Sequence, residues 1–179
     1  MSKKIGRQTP TNSLILPYIE TKGQEASELY KKTGRVLREW QDLLLYDILA
    51  INDEGLWTHS RFGYAVPRRN GKTESVIARI IYGIENGEKV LYTAHLIPTS
   101  HSVFETICAL LDNAEIKYAS NKARGAENIR LINPKTGKPY ALDHQVNFRT
   151  RSSTNGLGEG YDLLIVDEAQ EYTIDQESS

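Results

Sequence analysis

With a single cysteine, Cys108, the 179-residue chain cannot form an intrachain disulfide, and its 4 histidines make no His/Cys cluster of the kind that holds zinc. No run approaches the roughly 18 consecutive apolar residues that a membrane-spanning helix needs. The start, Met1-Ser2-Lys3-Lys4-Ile5-Gly6-Arg7, is basic but leads into no apolar stretch, so it lacks the core of a secretory signal. Internal repeats and low-complexity segments are missing as well. These absences predict a cytoplasmic protein with no membrane partner.

Apolar residues make up 39% and charged residues 25%, the proportions of a folded chain with room for one core and little room for two. The net charge of −1 conceals an uneven distribution. Between Lys117 and Arg151 eight basic residues (Lys117, Lys122, Arg124, Arg130, Lys135, Lys138, Arg149, Arg151) face two acidic ones, Glu127 and Asp143. Between Gly158 and Ser179 there are seven acidic residues and no basic one. Such a pairing fits a phosphate-backbone contact beside a metal site, and equally a solvated surface whose charges balance.

Hydrophobic spacing orders the chain. Residues 1–26 are polar and aperiodic and predict an N-terminal arm. Residues 27–52 carry Leu29, Val36, Leu37, Trp40, Leu43, Leu44, Ile48 and Ile51 at three-to-four spacing, which predicts a helix ended by Asp53-Glu54-Gly55. Phe62-Gly63-Tyr64-Ala65-Val66 predicts a short strand stopped by Pro67, and Thr73 to Glu85 a helix stopped by Gly87. Lys89 to Ala94 predicts a strand and Thr99 to Leu111 a helix. Asn133-Pro134-Lys135-Thr136-Gly137 is a turn signal between 128–132 and 140–148, hence a hairpin. Leu163-Leu164-Ile165-Val166 is apolar throughout, as in a strand buried on both faces. Strands alternating with helices predict an α/β fold with a mainly parallel sheet.

Two motifs carry chemistry. Val66-Pro67-Arg68-Arg69-Asn70-Gly71-Lys72-Thr73 ends like a phosphate loop, with Val66 in place of the usual first glycine. Gly71 admits the backbone close to phosphates, and the free N–H groups of the following helix point at anions. Lys72 supplies a charge near the β- and γ-phosphates, and Thr73 a hydroxyl for Mg²⁺. Composition alone yields Gly-Lys-[Ser/Thr] in roughly one chain in ten of this length, so the strand-turn-helix context is what gives the motif weight. Downstream, an apolar strand delivers Asp167-Glu168 to its C-terminal end, where ligands of open α/β sheets bind. Asp167 suits Mg²⁺, and Glu168 suits polarising a water for attack on the γ-phosphate.

The arginine-bearing loop without its first glycine resembles that of the large terminase subunits of tailed bacteriophages. Leu164 to Gln170 is similar to their second motif, and Arg38-Glu39-Trp40-Gln41 to their adenine-contacting segment. The similarity covers about residues 35–172. It implies a P-loop NTPase of the RecA/ASCE kind, with residues 27–179 forming part of an ATPase domain that drives double-stranded DNA into a capsid. The resemblance also implies a nucleotide site of Trp40, Gln41, Pro67, Arg68, Arg69, Asn70, Gly71, Lys72, Thr73 and Glu74. Within it Lys72, Arg68 and Glu168 are the catalytic residues, Thr73 and Asp167 the magnesium ligands. Trp40 stacks near the base or belongs to the core, Arg69 binds or is a solvated neighbour, and Arg149 and Arg151 sense γ-phosphate, touch DNA or are plain surface.

The implied partners are the terminase small subunit, the capsid portal and further copies in a ring; the implied ligands are ATP and Mg²⁺. In such proteins a coupling strand and a nuclease domain follow, whereas this sequence stops eleven residues after Glu168. The expectation is a sheet with a gap, and a fragment weakly active alone. A helicase-like translocase and a non-catalytic nucleotide-binding assembly module are the alternatives.

Overall fold

The computed structural model describes residues 6–150 and 160–171. In chain order it has β1 (Glu20–Thr21), α1 (Gly23–Lys32), α2 (Glu39–Ile48), β2 (Ala50–Ile51), α3 (Lys72–Glu85), β3 (Lys89–Ala94) and α4 (Ile97–Asn113). Then follow β4 (Tyr118–Asn121), β5 (Asn128–Leu131), β6 (Gln145–Thr150), β7 (Leu163–Val166) and a 3₁₀ turn, Ala169–Glu171. Among the described residues no helix is long and apolar enough to cross a membrane.

The main sheet has the order β4-β5-β6-β3-β7. β3 pairs in parallel with β6 and β7, while β4–β5 and β5–β6 are antiparallel. The expected mainly parallel sheet is therefore a mixed one. The expected hairpin is formed by β5 and β6, which begins at Gln145 rather than Tyr140, and β4 adds a strand that the irregular pattern of 114–121 did not signal.

Alternation on β3 and β6 fixes which face is covered. Val90 lies opposite Val146 and Tyr92 opposite Phe148, all fully buried in the core with residues of α3 and α4. On the other face Leu91 lies opposite Asn147 and Thr93 opposite Arg149. That face is the more polar of the two, yet Leu91, Asn147 and Thr93 are buried on it as well. β7 closes the sheet at one edge, and Leu164 is 59% exposed, so this strand is not buried on both faces as its composition predicted.

The single helix expected over 27–52 is two. Gly34 adopts φ +81°, a left-handed backbone that ends the first helix, and Gln41 caps the second by accepting the Arg38 N–H. The arm expected over 1–26 already contains the start of α1. A Cβ at Gly23 lies 2.5 Å from the Tyr46 Cα, so α1 meets α2 through the missing side chain. Residues 62–66 run extended with Phe62, Tyr64 and Val66 half-buried, but they lie outside every strand ladder among the described residues. Their burial has the period of two of a strand, but among the described residues no neighbouring strand pairs with them.

α3 matches its expectation, with Ile77, Ile80, Ile81 and Ile84 buried. It ends in a Schellman turn, where Gly87 at φ +90° lets Glu88 N–H reach Gly83 O at 2.9 Å. Beneath that turn Arg79 and Glu88 form a two-pronged ion pair at 2.7 and 2.8 Å, with the guanidinium over the Trp57 ring.

Two stability predictions follow from these contacts. Gly23→Ala forces α1 off α2 and lowers stability by about 2 kcal/mol in urea unfolding. Glu85, at the end of α3, has its carboxyl raised above the ordinary value of 4.5, chiefly by burial and despite the charges of His144 and Lys32. A raised carboxyl in the fold penalises the ionised form. Its cost is therefore absent below about pH 4.5 and grows as pH rises toward the folded value. Glu85→Gln accordingly raises Tm at pH 7, and the gain fades as the solution is acidified below that point.

Candidate functional site

The loop 67–71 is held from inside and from two helices. Asn70 donates its amide to Pro67 O at 3.0 Å and more weakly to Arg68 O at 3.4 Å. Arg69 and Gly71 both take left-handed φ, +66° and +85°. For Gly71 that is cheap; for Arg69 it is a strained conformation of the kind concentrated at ligand-binding turns. From below, the Tyr64 hydroxyl donates to Lys72 O at 3.1 Å, fixing the first residue of α3. Burial first, and then the charge of Asp167, push the Tyr64 phenol well above its ordinary value, so it stays a protonated donor.

Gln41 is the strap between the loop and α2. It is 3% exposed, its Oε1 accepts the Arg38 N–H at 2.7 Å, and its Nε2 donates to Gly71 O at 2.8 Å. In this arrangement the amide is engaged by main chain at both ends. Arg38 reinforces the strap by donating to Asn70 O at 3.4 Å.

Glu74, in the first turn of α3, accepts hydrogen bonds from the Tyr30 hydroxyl and from Arg35 at 2.7 Å. Burial and then the Glu74 carboxylate raise the Tyr30 phenol far above its usual range, which keeps it a donor to that carboxylate. Glu74 thus ties α3 to α1. Between these groups lies a cleft of about 470 Å³, with Arg35, Val36, Arg38 and Gln41 on one side and Arg69, Gly71 and Glu74 on the other. Trp40 sits half-buried on α2, and Arg68 is exposed on the loop.

Lys72 and Asp167 bring the two motifs together. The Lys72 ammonium lies 2.7 Å from Asp167 Oδ1, although 95 residues separate them (167 − 72). Asp167 is 6% exposed, at the end of β7, where its N–H donates to Thr93 O at 3.0 Å. Its carboxylate accepts two further bonds, from the Tyr92 hydroxyl at 2.9 Å on Oδ2 and from the Glu168 N–H at 2.8 Å on Oδ1. Glu168 has φ +55°, so the chain turns sharply as it leaves the strand. Thr73 follows Lys72 in the first turn of α3.

Of the other predicted residues, Arg149 donates to Glu127 O at 3.2 Å and to Phe148 O at 2.7 Å, so its guanidinium is occupied by carbonyls. Lys122 and Arg124 are exposed in the turn between β4 and β5, and Arg130 is half-buried on β5. Arg151 lies outside the described residues. Tyr30, Arg35, Tyr64 and Tyr92 are contributors that the motifs did not announce. For Tyr92 a signal was present, since a hydroxyl in the middle of the strand Lys89–Ala94 must find a partner when buried.

With the loop and the acidic strand end in contact, the comparison with known proteins gains a structural footing. The chain is 33% identical over 109 residues to the protein called tripartite terminase subunit 3 of equine herpesvirus 1 (strain Ab4p), a match covering 59% of this chain. It is 32% identical over 109 residues to the protein of that name from human herpesvirus 1 (strain 17), and 31% to that of human herpesvirus 2 (strain HG52). The similarity is to terminase subunits. The matches span only 14% of the length of these curated relatives. No family model matches the chain, and no solved structure does. The terminase part of the expected resemblance thus reappears in herpesvirus proteins.

Removing the Gln41 strap tests how the loop is supported. Gln41→Ala leaves the part-buried Arg38 N–H without its side-chain acceptor and Gly71 O with only the Glu74 N–H, and is expected to cost about 1 kcal/mol. Hydrogen exchange should accelerate across residues 68–73 and at the first turn of α2 together, while the α3–β3 core stays protected.

Proposed function

We propose that this chain carries the ATP-binding and ATP-hydrolysing site of a terminase large subunit, the part of a viral packaging motor that powers movement of double-stranded DNA into a capsid. The observation that carries the reading is the 2.7 Å contact between Lys72 and Asp167. It brings a helix start with a positive charge against a strand end with a buried carboxylate, the two halves a nucleoside triphosphate and its metal require. The similarity to terminase subunits supports the motor role, and the arginine-bearing loop favours a tailed-phage type of terminase.

The donor set fits the ligands. Gly71 and Arg69 curl the loop with left-handed backbone, and α3 begins at the same place with the N–H groups of its first turn. Thr73 and Asp167 present a hydroxyl and a carboxylate, the hard oxygen ligands that Mg²⁺ prefers. Bound Mg²⁺ would supply charge neutralisation on the β- and γ-phosphates.

Lys72 would leave Asp167 for the phosphates, a short exchange of one anionic partner for another. Glu168, next to Asp167 in the turn after β7, would hold and polarise the attacking water. Arg68, exposed on the loop, would reach charge developing on the phosphoryl oxygens, and the cleft beside Gln41 and Arg38 would take the base. DNA is the substrate, with the small subunit, the portal and further copies of the chain as partners. Among the described residues Lys117, Lys122, Arg124, Lys135 and Lys138 are the exposed cations of the basic segment available to a phosphate backbone.

A non-catalytic nucleotide-binding module is the second reading. It is favoured by β7, which bears Asp167 yet has no strand on its outer side among the described residues. Separate measurements of binding and turnover distinguish the two. Lys72→Ala is expected to abolish ATP binding. Glu168→Gln should keep binding and lower hydrolysis about a hundredfold or more. ATP binding with no hydrolysis by the unaltered chain would leave the module reading standing.

A further inference from the structure

We propose that Tyr92 is a positioning residue for the metal-binding carboxylate of Asp167. The assignment rests on the nucleotide reading above and adds to it a residue from a strand that neither motif contains.

Three donors from three parts of the chain hold the Asp167 carboxylate: Lys72 from α3, Tyr92 from β3 and the Glu168 N–H from the turn after β7. They divide unevenly between the two oxygens. Lys72 and the Glu168 N–H are on Oδ1, and the Tyr92 hydroxyl is on Oδ2.

Lys72 is the donor the phosphates would claim, because an ammonium on a flexible stem can follow the stronger anion. Its departure opens Oδ1 for a cation while Tyr92 still grips Oδ2. The carboxylate then cannot swing about its terminal torsion, which for an aspartate is otherwise soft. Orientation of a metal-ligating carboxylate by a hydrogen-bonded neighbour is a general means of tuning metal affinity.

Tyr92 is suited to that work by its rigidity. It is fully buried, its ring packs against Phe148 at 5.7 Å, and β3 runs between β6 and β7 with parallel ladders on both sides. The register places Tyr92 beside Ile165, two residues before Asp167. The hydroxyl thus reaches past the last rung of the ladder to the carboxylate beyond it. A buried tyrosine also finds a partner for purely structural reasons, so the test needs a readout that packing alone does not move.

The 179-residue chain is compared as wild type, Tyr92→Phe and Phe148→Leu. Mn²⁺ affinity is read by electron paramagnetic resonance in the presence of ATP, binding of a fluorescent ATP analogue is read in EDTA, and Tm is read for each variant. Tyr92→Phe keeps the ring and is expected to weaken Mn²⁺ binding about tenfold, with metal-free nucleotide binding within about twofold of wild type. Phe148→Leu disturbs the same core without touching the hydroxyl; it should lower Tm and leave Mn²⁺ binding unchanged. Equal Mn²⁺ affinity in wild type and Tyr92→Phe, or an equal loss in Phe148→Leu, overturns the assignment while leaving the nucleotide site intact. A wild-type chain that binds no nucleotide overturns the reading of the site and this assignment with it.

Discussion

The contact between Lys72 and Asp167 is the constraint around which the rest of the site is arranged. A buried carboxylate at 6% exposure is costly unless charge and hydrogen bonds meet it, and here an ammonium, a phenol and a main-chain N–H all do. Each comes from a different element, so satisfying one carboxylate fixes α3, β3 and the turn after β7 relative to one another. The same arrangement leaves the lysine held by a partner it can exchange. An ion pair that stabilises the resting fold is thereby also a place where an incoming polyanion can compete.

Around that contact the chain uses hydrogen bonds where a more complete sheet would use ladders. Residues 62–66 belong to no ladder among the described residues, so the loop takes its position from Tyr64 beneath it, Gln41 beside it and the Asn70 amide within it. Glu74, anchored by Tyr30 and Arg35, keeps the first turn of α3 against α1. The arginines of the cleft stand among these contacts, with Arg35 and Arg38 engaged by the protein and Arg69 at the rim.

What the sequence made legible was local and strongly periodic. Ile77, Ile80, Ile81 and Ile84 announced α3, and Lys89 to Ala94 announced β3 with its bounds, because side-chain burial there follows one period without interruption. The split between α1 and α2 was hidden, since Leu29, Val36 and Leu37 continue a helical spacing across a bend that Gly34 makes. Parallel against antiparallel pairing was hidden too, because β5 carries the same alternation whichever way its neighbour runs. The loop and the acidic strand end were legible as motifs. Their convergence depends on the β3–β7 register, which no short pattern encodes, and the roles of Tyr92 and Gln41 depend on long-range neighbours. For Gln41 the resemblance implied a residue of the adenine-contacting segment, and in the structure its amide is engaged with Arg38 N–H and Gly71 O.

That engagement has a mechanical meaning. One side chain closes the first turn of a helix and, thirty residues away in sequence, restrains the carbonyl of Gly71. The loop and the helix start are therefore not two parts that happen to touch but a single lever with a common pin. Anything that draws the Gln41 amide toward itself slackens both ends in the same stroke, so occupancy of the cleft and the shape of the loop are felt by one another without any movement of the core beneath.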